Sequence, residues 1–205
     1  MAASKPQIRS LFATPVSIHF LPIAQDANAT LRPLIMEHVG NGSHGQGWRS
    51  DNDIAWCGEH LQTVFRVARD LADGATSTRT GGRVALDWKI EACVCVRQKG
   101  EYRELAARPG AFWSGVYYVD DGYAKSDDPA LGGECELADP RGVLPAMVAP
   151  QYAFRIPGGQ SAGQTEVIRP QSGMIVLYPS WLVRGERRHD GEQARVTIEF
   201  DMTPP

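Results

Sequence analysis

Leu86-Asp87-Trp88-Lys89-Ile90-Glu91-Ala92-Cys93-Val94-Cys95-Val96-Arg97 alternates without a break. In an extended chain Trp88, Ile90, Ala92, Val94 and Val96 share one face, and Lys89, Glu91, Cys93, Cys95 and Arg97 share the other. A clean period of two over this length predicts a β-strand with an apolar face turned to a core. Everything C-terminal to it repeats the theme. Ala111 to Val119 is rich in aromatic and β-branched residues, as strands are. Gly133 to Ala138 and Met174 to Tyr178 read as shorter strands, the latter stopped by Pro179. Arg195 to Met202 places Val196, Ile198, Phe200 and Met202 on one face. Turn sequences separate these runs: Asp120-Asp121-Gly122, Asp139-Pro140-Arg141-Gly142, Pro157-Gly158-Gly159 and Asp190-Gly191.

N-terminal to the alternating stretch the period is helical. Ile54, Cys57, Leu61, Val64, Phe65, Ala68 and Leu71 form one apolar stripe, which predicts a helix over Asp53 to Asp73. Asn52 or Asp53 is placed to cap its start and Gly74 to end it. Thr76 to Gly82 is a polar linker and Asn41 to Gln46 a polar loop. Thr30 to Val39 reads as an earlier helix through Leu31, Leu34, Ile35 and His38, with Gly40 as the stop. Leu11 to Leu21 reads as a strand punctuated by Pro15 and Pro22, which suits a sheet edge. Helices followed by many short strands predict a mainly β (α+β) domain, with helices backing an antiparallel sandwich or barrel. The long connections 120–132 and 141–173 are natural carriers of a binding site.

A chain of 205 residues is expected to form a single domain spanning residues 1–205. Burial of roughly 70% of the unfolded surface gives such a chain a core without staples. Net charge is −3 and the pI about 6.0, with Lys and Arg scattered. That distribution argues against a nucleic-acid surface and against attachment to an anionic membrane. No apolar run reaches the length of a membrane span, and residues 1–14 hold no apolar stretch of signal-peptide length. The expected location is the cytoplasm, where Cys57, Cys93, Cys95 and Cys135 are thiols. No C-x-x-C pair is present, which argues against a zinc ribbon. Cys93 and Cys95 share a strand face and are able to meet a metal together, the plainer reading being two small buried thiols.

Four strings, in this order, then add what periodicity does not carry: Phe112-Trp113-Ser114-Gly115-Val116-Tyr117-Tyr118-Val119, Gly132-Gly133-Glu134-Cys135-Glu136-Leu137-Ala138-Asp139-Pro140-Arg141, Pro170-Gln171-Ser172-Gly173-Met174-Ile175-Val176-Leu177-Tyr178-Pro179-Ser180-Trp181-Leu182, and Arg195-Val196-Thr197-Ile198-Glu199-Phe200. With Leu11-Phe12-Ala13-Thr14-Pro15-Val16 and Gly47-Trp48-Arg49-Ser50, the set resembles a family of bacterial 2-oxoglutarate/iron(II)-dependent oxygenases. The resemblance implies a double-stranded β-helix, a jelly roll of two packed sheets with the N-terminal helices outside. It also implies iron held by two histidines and a carboxylate, with open positions for 2-oxoglutarate and oxygen. A late-strand arginine then grips the far carboxylate of 2-oxoglutarate.

Residue by residue the chain departs from that pattern. Where the family has His-x-His-Pro-Gly, this chain reads Ala106-Ala107-Arg108-Pro109-Gly110. Where the family has a histidine two residues beyond Pro-Ser-Trp-Leu, this chain has Arg184, followed by the expected Gly185. Alanine binds no metal, and an arginine stays cationic and repels Fe(II). An arginine there is able instead to serve as a fixed positive charge for an anion. Arg195 matches the carboxylate-gripping position, the other reading being a surface cation at a strand start. Tyr118 and Ser114 match positions that line the family's pocket. Asp139 is a weak metal candidate and equally a turn cap. Tyr117 and Tyr118 point to opposite faces, so that one of them is expected in the core. The histidines present, His19, His38, His44, His60 and His189, fall on helices, a strand, a loop and a hairpin tip, where a lone imidazole is usually structural.

Three functions follow as expectations. The first is a non-catalytic member of the fold, with a pocket made cationic by Arg108, Arg184 and Arg195 that binds a small dicarboxylate-like anion such as 2-oxoglutarate, and with no tightly bound cofactor. The second is an active Fe(II)/2-oxoglutarate-dependent oxygenase with other metal ligands. The third is a ligand-free interaction module. Exposed β edges are compatible with a homodimer.

Overall fold

The computed structural model describes residues 12–40, 47–142, 147–149, 151–152 and 165–205. In chain order these form β1 (Ser17–Phe20), α1 (Ala24–Val39), β2 (Trp48–Arg49), α2 (Gly58–Ala75), β3 (Lys89–Arg97), β4 (Arg103–Ala106), β5 (Trp113–Asp120), β6 (Cys135–Leu137), β7 (Glu166–Ile168), β8 (Met174–Pro179), β9 (Arg184–Glu186) and β10 (Arg195–Thr203). The strands build a six-stranded sheet in the order β1-β8-β5-β10-β3-β2 and a four-stranded sheet in the order β4-β9-β6-β7. All the pairings are antiparallel. Two antiparallel sheets with helices outside are what the jelly-roll expectation requires.

Both helices pack on the outer face of the large sheet. Leu61, Val64, Phe65, Ala68 and Ala72 of α2, and Ala27, Leu31, Ile35 and Val39 of α1, are buried there. They meet Trp88, Ala92, Val94, Tyr117, Ile198, Phe200 and Met202 in one core. A second core lies between the sheets, built from Val116, Tyr118, Cys135, Leu137, Ile168, Met174, Val176, Tyr178 and Leu182. Each fully buried large apolar side chain contributes about 1.5–3 kcal/mol. β10 is the spine, paired with β3 on one side and β5 on the other. Its Phe200 ring lies over Gly115 of β5 in a space that any Cβ at that position would fill.

The elements differ from the sequence reading mainly at their ends. α1 starts at Ala24 rather than Thr30, because its first turn carries Gln25, Asp26 and Asn28 and shows little apolar spacing. The predicted helix from Asp53 begins instead as a 3-10 turn at Ala55–Cys57, with Asp53 accepting from the Ala55 N–H, and α2 opens on Gly58 at φ 71°. Gly74 lies inside α2, whose end is set at Thr76; Trp113 Nε1 donates to Thr76 Oγ1 at 2.9 Å. Tyr117 and Tyr118 are both fully buried, because both faces of the large sheet are covered. β1 is confined to Ser17–Phe20. The loop 41–46 with His44, the turn at 157–159 and Leu11 lie outside the described residues. No described helix is long and apolar enough to cross a membrane.

Candidate functional site

The inner face of the large sheet turns polar toward one end. The alternation that buries Ile198, Phe200 and Met202 against the helices sends Thr197, Glu199 and Asp201 toward the second sheet. By the same rule β3 sends Cys93, Cys95 and Arg97 inward, and the register sets Cys93 opposite Glu199 and Cys95 opposite Thr197. Glu199 is 3% exposed, and its carboxylate is the hub. Arg97 reaches it at 2.9 Å, Arg108 at 2.6 Å, Arg103 at 2.5 Å and Arg184 at 3.7 Å. Arg108 also pairs with Asp201 at 3.1 Å, Arg97 with Glu186 at 3.1 Å, and Arg184 with Glu186. Burial alone would raise the Glu199 carboxyl; Arg184, Arg97 and Arg103 outweigh it and hold the group well below the ordinary carboxylate range. The cluster sets four guanidiniums against three carboxylates.

Two of the three positions where histidines are expected come together in space. Ala106 of β4 and Arg184 of β9 are cross-strand partners, and directly opposed residues place their Cβ atoms about 4.5–5.5 Å apart. Arg184 is buried, its Nε donating to Cys135 Sγ at 3.3 Å and its guanidinium paired with Glu186. Arg108 follows β4 and swings onto Glu199 and Asp201. Ser114, opposite Asp201 on β5, donates its hydroxyl to that carboxylate at 2.5 Å. Arg184, Arg108 and Ser114 of the sequence-predicted set thus converge on one ion-pair cluster.

Arg195 stands apart from the cluster's carboxylates. It is 1% exposed, which excludes the surface-cation reading. Its Nε donates to the Asp121 carbonyl at 3.0 Å, its Nη1 to the Gly133 carbonyl, and its Nη2 approaches His189 Nδ1 at 3.5 Å. The Tyr123 ring lies 5.1 Å from the guanidinium carbon. Among the described residues no carboxylate pairs with Arg195. Gly133, at φ 75°, makes the space, since a Cβ there would meet Arg195 Nη2 at 2.5 Å. His189 is 1% exposed and no hairpin tip: burial lowers its pKa, and the neighbouring Arg195 guanidinium disfavours a second cation. The Tyr118 hydroxyl is buried without a hydrogen-bond partner; burial raises its pKa, the Cys135 thiol adds to that, and Arg184 and Arg195 oppose it. Asp139 accepts from the Arg141 backbone N–H and guanidinium, so it serves a turn.

The metal that the resemblance implies needs two imidazoles and a carboxylate. Among the described residues, the one group of His, Cys, Asp and Glu side chains close enough to share an ion is Cys93, Cys95 and Glu199, whose ligand atoms lie within 4.8 Å of one another. Both Glu199 oxygens already hold guanidiniums, and Arg49 donates to Cys93 Sγ at 3.2 Å, so cations occupy the surroundings of that trio. Two imidazoles and a carboxylate do not assemble among the described residues, and the donor set does not fit the expected iron centre.

Sequence reasoning missed Arg97, Arg103, Glu186, Glu199 and Asp201 as site residues. The alternation did place Arg97 and Glu199 opposite the apolar faces. Only the second sheet, whose strands β4 and β9 are too short to show a period, turns that face into an interior. A surface cavity of about 470 Å³ adjoins the cluster, lined in part by Trp48, Arg49, Cys95, Arg97 and Tyr102.

Comparison with known proteins follows the same lines. Residues 92–201, more than half of the chain, match the family described as "Putative 2OG-Fe(II) oxygenase". No curated protein sequence matches. Among solved structures, a Pseudomonas putida prolyl-4-hydroxylase superposes with a TM-score of 0.62 at 12% identity, covering 95% of both chains. A Trichoplax adhaerens prolyl hydroxylase, in complex with a hypoxia inducible factor peptide fragment, gives 0.60 at 13% identity over 92% of this chain and 83% of that one. HygX from Streptomyces hygroscopicus, with nickel and 2-oxoglutarate bound, gives 0.57 at 14% over 93% and 83%. At such identities the superpositions speak for the fold alone, and the fold is the double-stranded β-helix. The strings between β3 and β10 and the match over residues 92–201 together make this chain a member of the 2OG-Fe(II) oxygenase family.

Proposed function

We propose that this chain is a non-catalytic member of the family, in which Ala106, Arg108 and Arg184 stand at the histidine positions of the family pattern, and that it binds a small dicarboxylate-like anion. The observation that carries the reading is Arg184. It stands at an expected histidine position, is buried, and is locked to Glu186 beside Glu199. A guanidinium there supplies a permanent positive charge at a place where the family pattern puts an imidazole, and it opposes a divalent cation at that point.

The anion-binding half rests on two groups whose requirements are unmet. Arg195 is buried against neutral acceptors, with no carboxylate partner among the described residues. The Tyr118 hydroxyl is buried and unpartnered, which costs about 1–3 kcal/mol. A carboxylate received between them satisfies both, Arg195 as a planar two-donor fork and Tyr118 as a hydroxyl donor. Arg195 and Tyr118 are both buried, so entry of the anion requires the Asp121 and Gly133 carbonyls to release the guanidinium. The 2-oxoglutarate bound by HygX makes that dicarboxylate the first ligand to test.

The test is anaerobic calorimetry with Fe(II) and with 2-oxoglutarate, separately and together. The expected result is no stoichiometric heat from Fe(II), and a binding isotherm from 2-oxoglutarate alone that disappears in Arg195→Met. Tight, stoichiometric Fe(II) binding that depends on 2-oxoglutarate would overturn the proposal in favour of an active oxygenase with other ligands. Silence from both would leave an interaction module.

A further inference from the structure

The Cys93–Cys95 pair is used by none of the chemistry above. Cys93 and Cys95 project inward from β3 with their sulfurs 4.0 Å apart. Arg49, on β2 beside them, donates from Nε to Cys93 Sγ at 3.2 Å. On the other side stand Glu199, already neutralised by arginines, and Arg97. We propose that Cys93 and Cys95 form a peroxide-oxidised dithiol, with Cys93 as the attacking thiolate and Cys95 as the resolving thiol.

The geometry assigns the roles. A cysteine is nucleophilic as the thiolate, and a guanidinium within hydrogen-bond reach stabilises that form. Only Cys93 has both such a guanidinium and a second thiol beside it. The Cys95 thiol and then Arg49 favour the Cys93 thiolate, while the same contact and burial disfavour that of Cys95. Cys57 is the internal contrast: burial pushes its thiol up to about 11. Cys135 has a guanidinium, that of Arg184, but no neighbouring thiol, and it is fully buried between the sheets.

Electrostatics decides the class of reagent. The same trio of Cys93, Cys95 and Glu199 has the spacing of a metal site, but a cation entering it would face Arg49, Arg97, Arg103, Arg108 and Arg184. A small neutral oxidant meets no such barrier. Size points the same way. Cys93 is 2% exposed, and the two residues whose side chains it contacts, Arg49 and Cys95, line the 470 Å³ cavity, which favours a small oxidant over a bulky one.

The chemistry balances with hydrogen peroxide as the oxidant. Cys93 sulfur attacks one peroxide oxygen; an S–O bond forms, the O–O bond breaks, hydroxide leaves, and sulfur is oxidised by two electrons to the sulfenic acid. Cys95 sulfur then attacks Cys93 sulfur; an S–S bond forms, the S–O bond breaks, and the departing hydroxide takes the Cys95 proton as water. Residues two apart on a strand are about 6.6–6.8 Å apart at Cα, the long end of the ~4.4–6.8 Å a disulfide spans. The product disulfide is therefore strained and readily reduced, as reversible thiol switches are.

The test uses the full chain treated with dilute hydrogen peroxide, with dimedone as the sulfenic-acid trap and peptide mass spectrometry as the readout. Wild type is expected to form a Cys93–Cys95 disulfide that dithiothreitol reverses, with Cys57 and Cys135 untouched. Cys95→Ser is expected to accumulate the dimedone adduct at Cys93. Cys93→Ser, with Cys93→Ala as a second variant in case the first misfolds, is expected to lose both products. Arg49→Gln is expected to slow the peroxide step about tenfold at neutral pH as the thiolate fraction falls. Equal oxidation of all four cysteines, an adduct at Cys95 instead of Cys93, or unreacted thiols after free cysteine in the same tube is consumed would each overturn the proposal.

Discussion

At the scale of single residues, the site is decided by Ala106 and Arg184. They are cross-strand partners, and Glu186 and Glu199 lie beside Arg184. Putting histidines back therefore rebuilds a two-imidazole, carboxylate-flanked arrangement if these are the family's metal positions. In the double variant Ala106→His/Arg184→His, Fe(II) affinity measured by anaerobic calorimetry is expected to rise at least tenfold, about 1.4 kcal/mol. Arg108→His replaces Ala106→His in a companion variant, because the family pattern carries two histidines in that segment. Iron binding no stronger than wild type in both would show that the metal positions have been misassigned. The structure gathers Arg184, Arg108 and Ser114 on one ion-pair cluster and sets Arg195 apart from it; the sequence singled out all four, with Tyr118, through the strings around them. It did not carry Glu199 and Asp201 as their counter-ions, since pairing across a sheet depends on register, and register is not written in any one strand.

At the scale of elements, long strands were legible and, β1 and β6 apart, the short ones were not. β3, β5 and β10 have eight or nine residues each, enough for the period to show. β2, β7 and β9 have two or three, and β4 has four broken by a register shift, so no alternation can be read from them. Those short strands supply Arg49, Arg103 and Arg184, which is why the arginine cluster was only half visible. The long strands also carry a constraint that a sequence reading passes over. Gly115 of β5 sits beneath Phe200 of β10, and Phe200 in turn meets Phe65 of α2 edge-on at 6.3 Å. Gly115→Ala pushes a methyl into that ring and is expected to lower stability by about 1–3 kcal/mol, read as a shift of the urea midpoint. Trimming the ring in Gly115→Ala/Phe200→Leu relieves the collision, so the double variant is expected to be more stable than the sum of the two single changes, with a coupling of about 0.5–3 kcal/mol. Strict additivity would mean that the two residues do not touch.

At the scale of the whole molecule, two buried groups are held in defined charge states, Glu199 on β10 ionised and His189 before β10 neutral, and acid acts on both. Glu199 is kept ionised by the guanidiniums of Arg184, Arg97 and Arg103, so its folded pKa lies below the ordinary 4.5. Its contribution to stability is full above that value and is lost as pH falls below it, since the unfolded chain binds the proton first. His189 is kept neutral by burial and by Arg195, so its folded pKa lies below the ordinary 6.5. The sign is the same: the unfolded chain binds its proton first, and stability falls as pH drops below 6.5. Protonated His189 would face the Arg195 guanidinium at 3.5 Å, which pulls Arg195 from the Gly133 carbonyl and loosens the join between the start of β10 and the segment before β6. Urea unfolding from pH 8 to pH 3 is therefore expected to show two steps, one below 6.5 from His189 and one below 4.5 from the carboxylate hub. In His189→Gln the first step should vanish while the second remains, because a glutamine is able to keep the Gln193 carbonyl contact without titrating. Added 2-oxoglutarate, if it docks on Arg195, should shrink the first step in wild type, since a carboxylate there favours the His189 imidazolium and brings its folded pKa back toward the ordinary 6.5. A first step that persists in His189→Gln would assign it to another group and remove His189 from the account of Arg195.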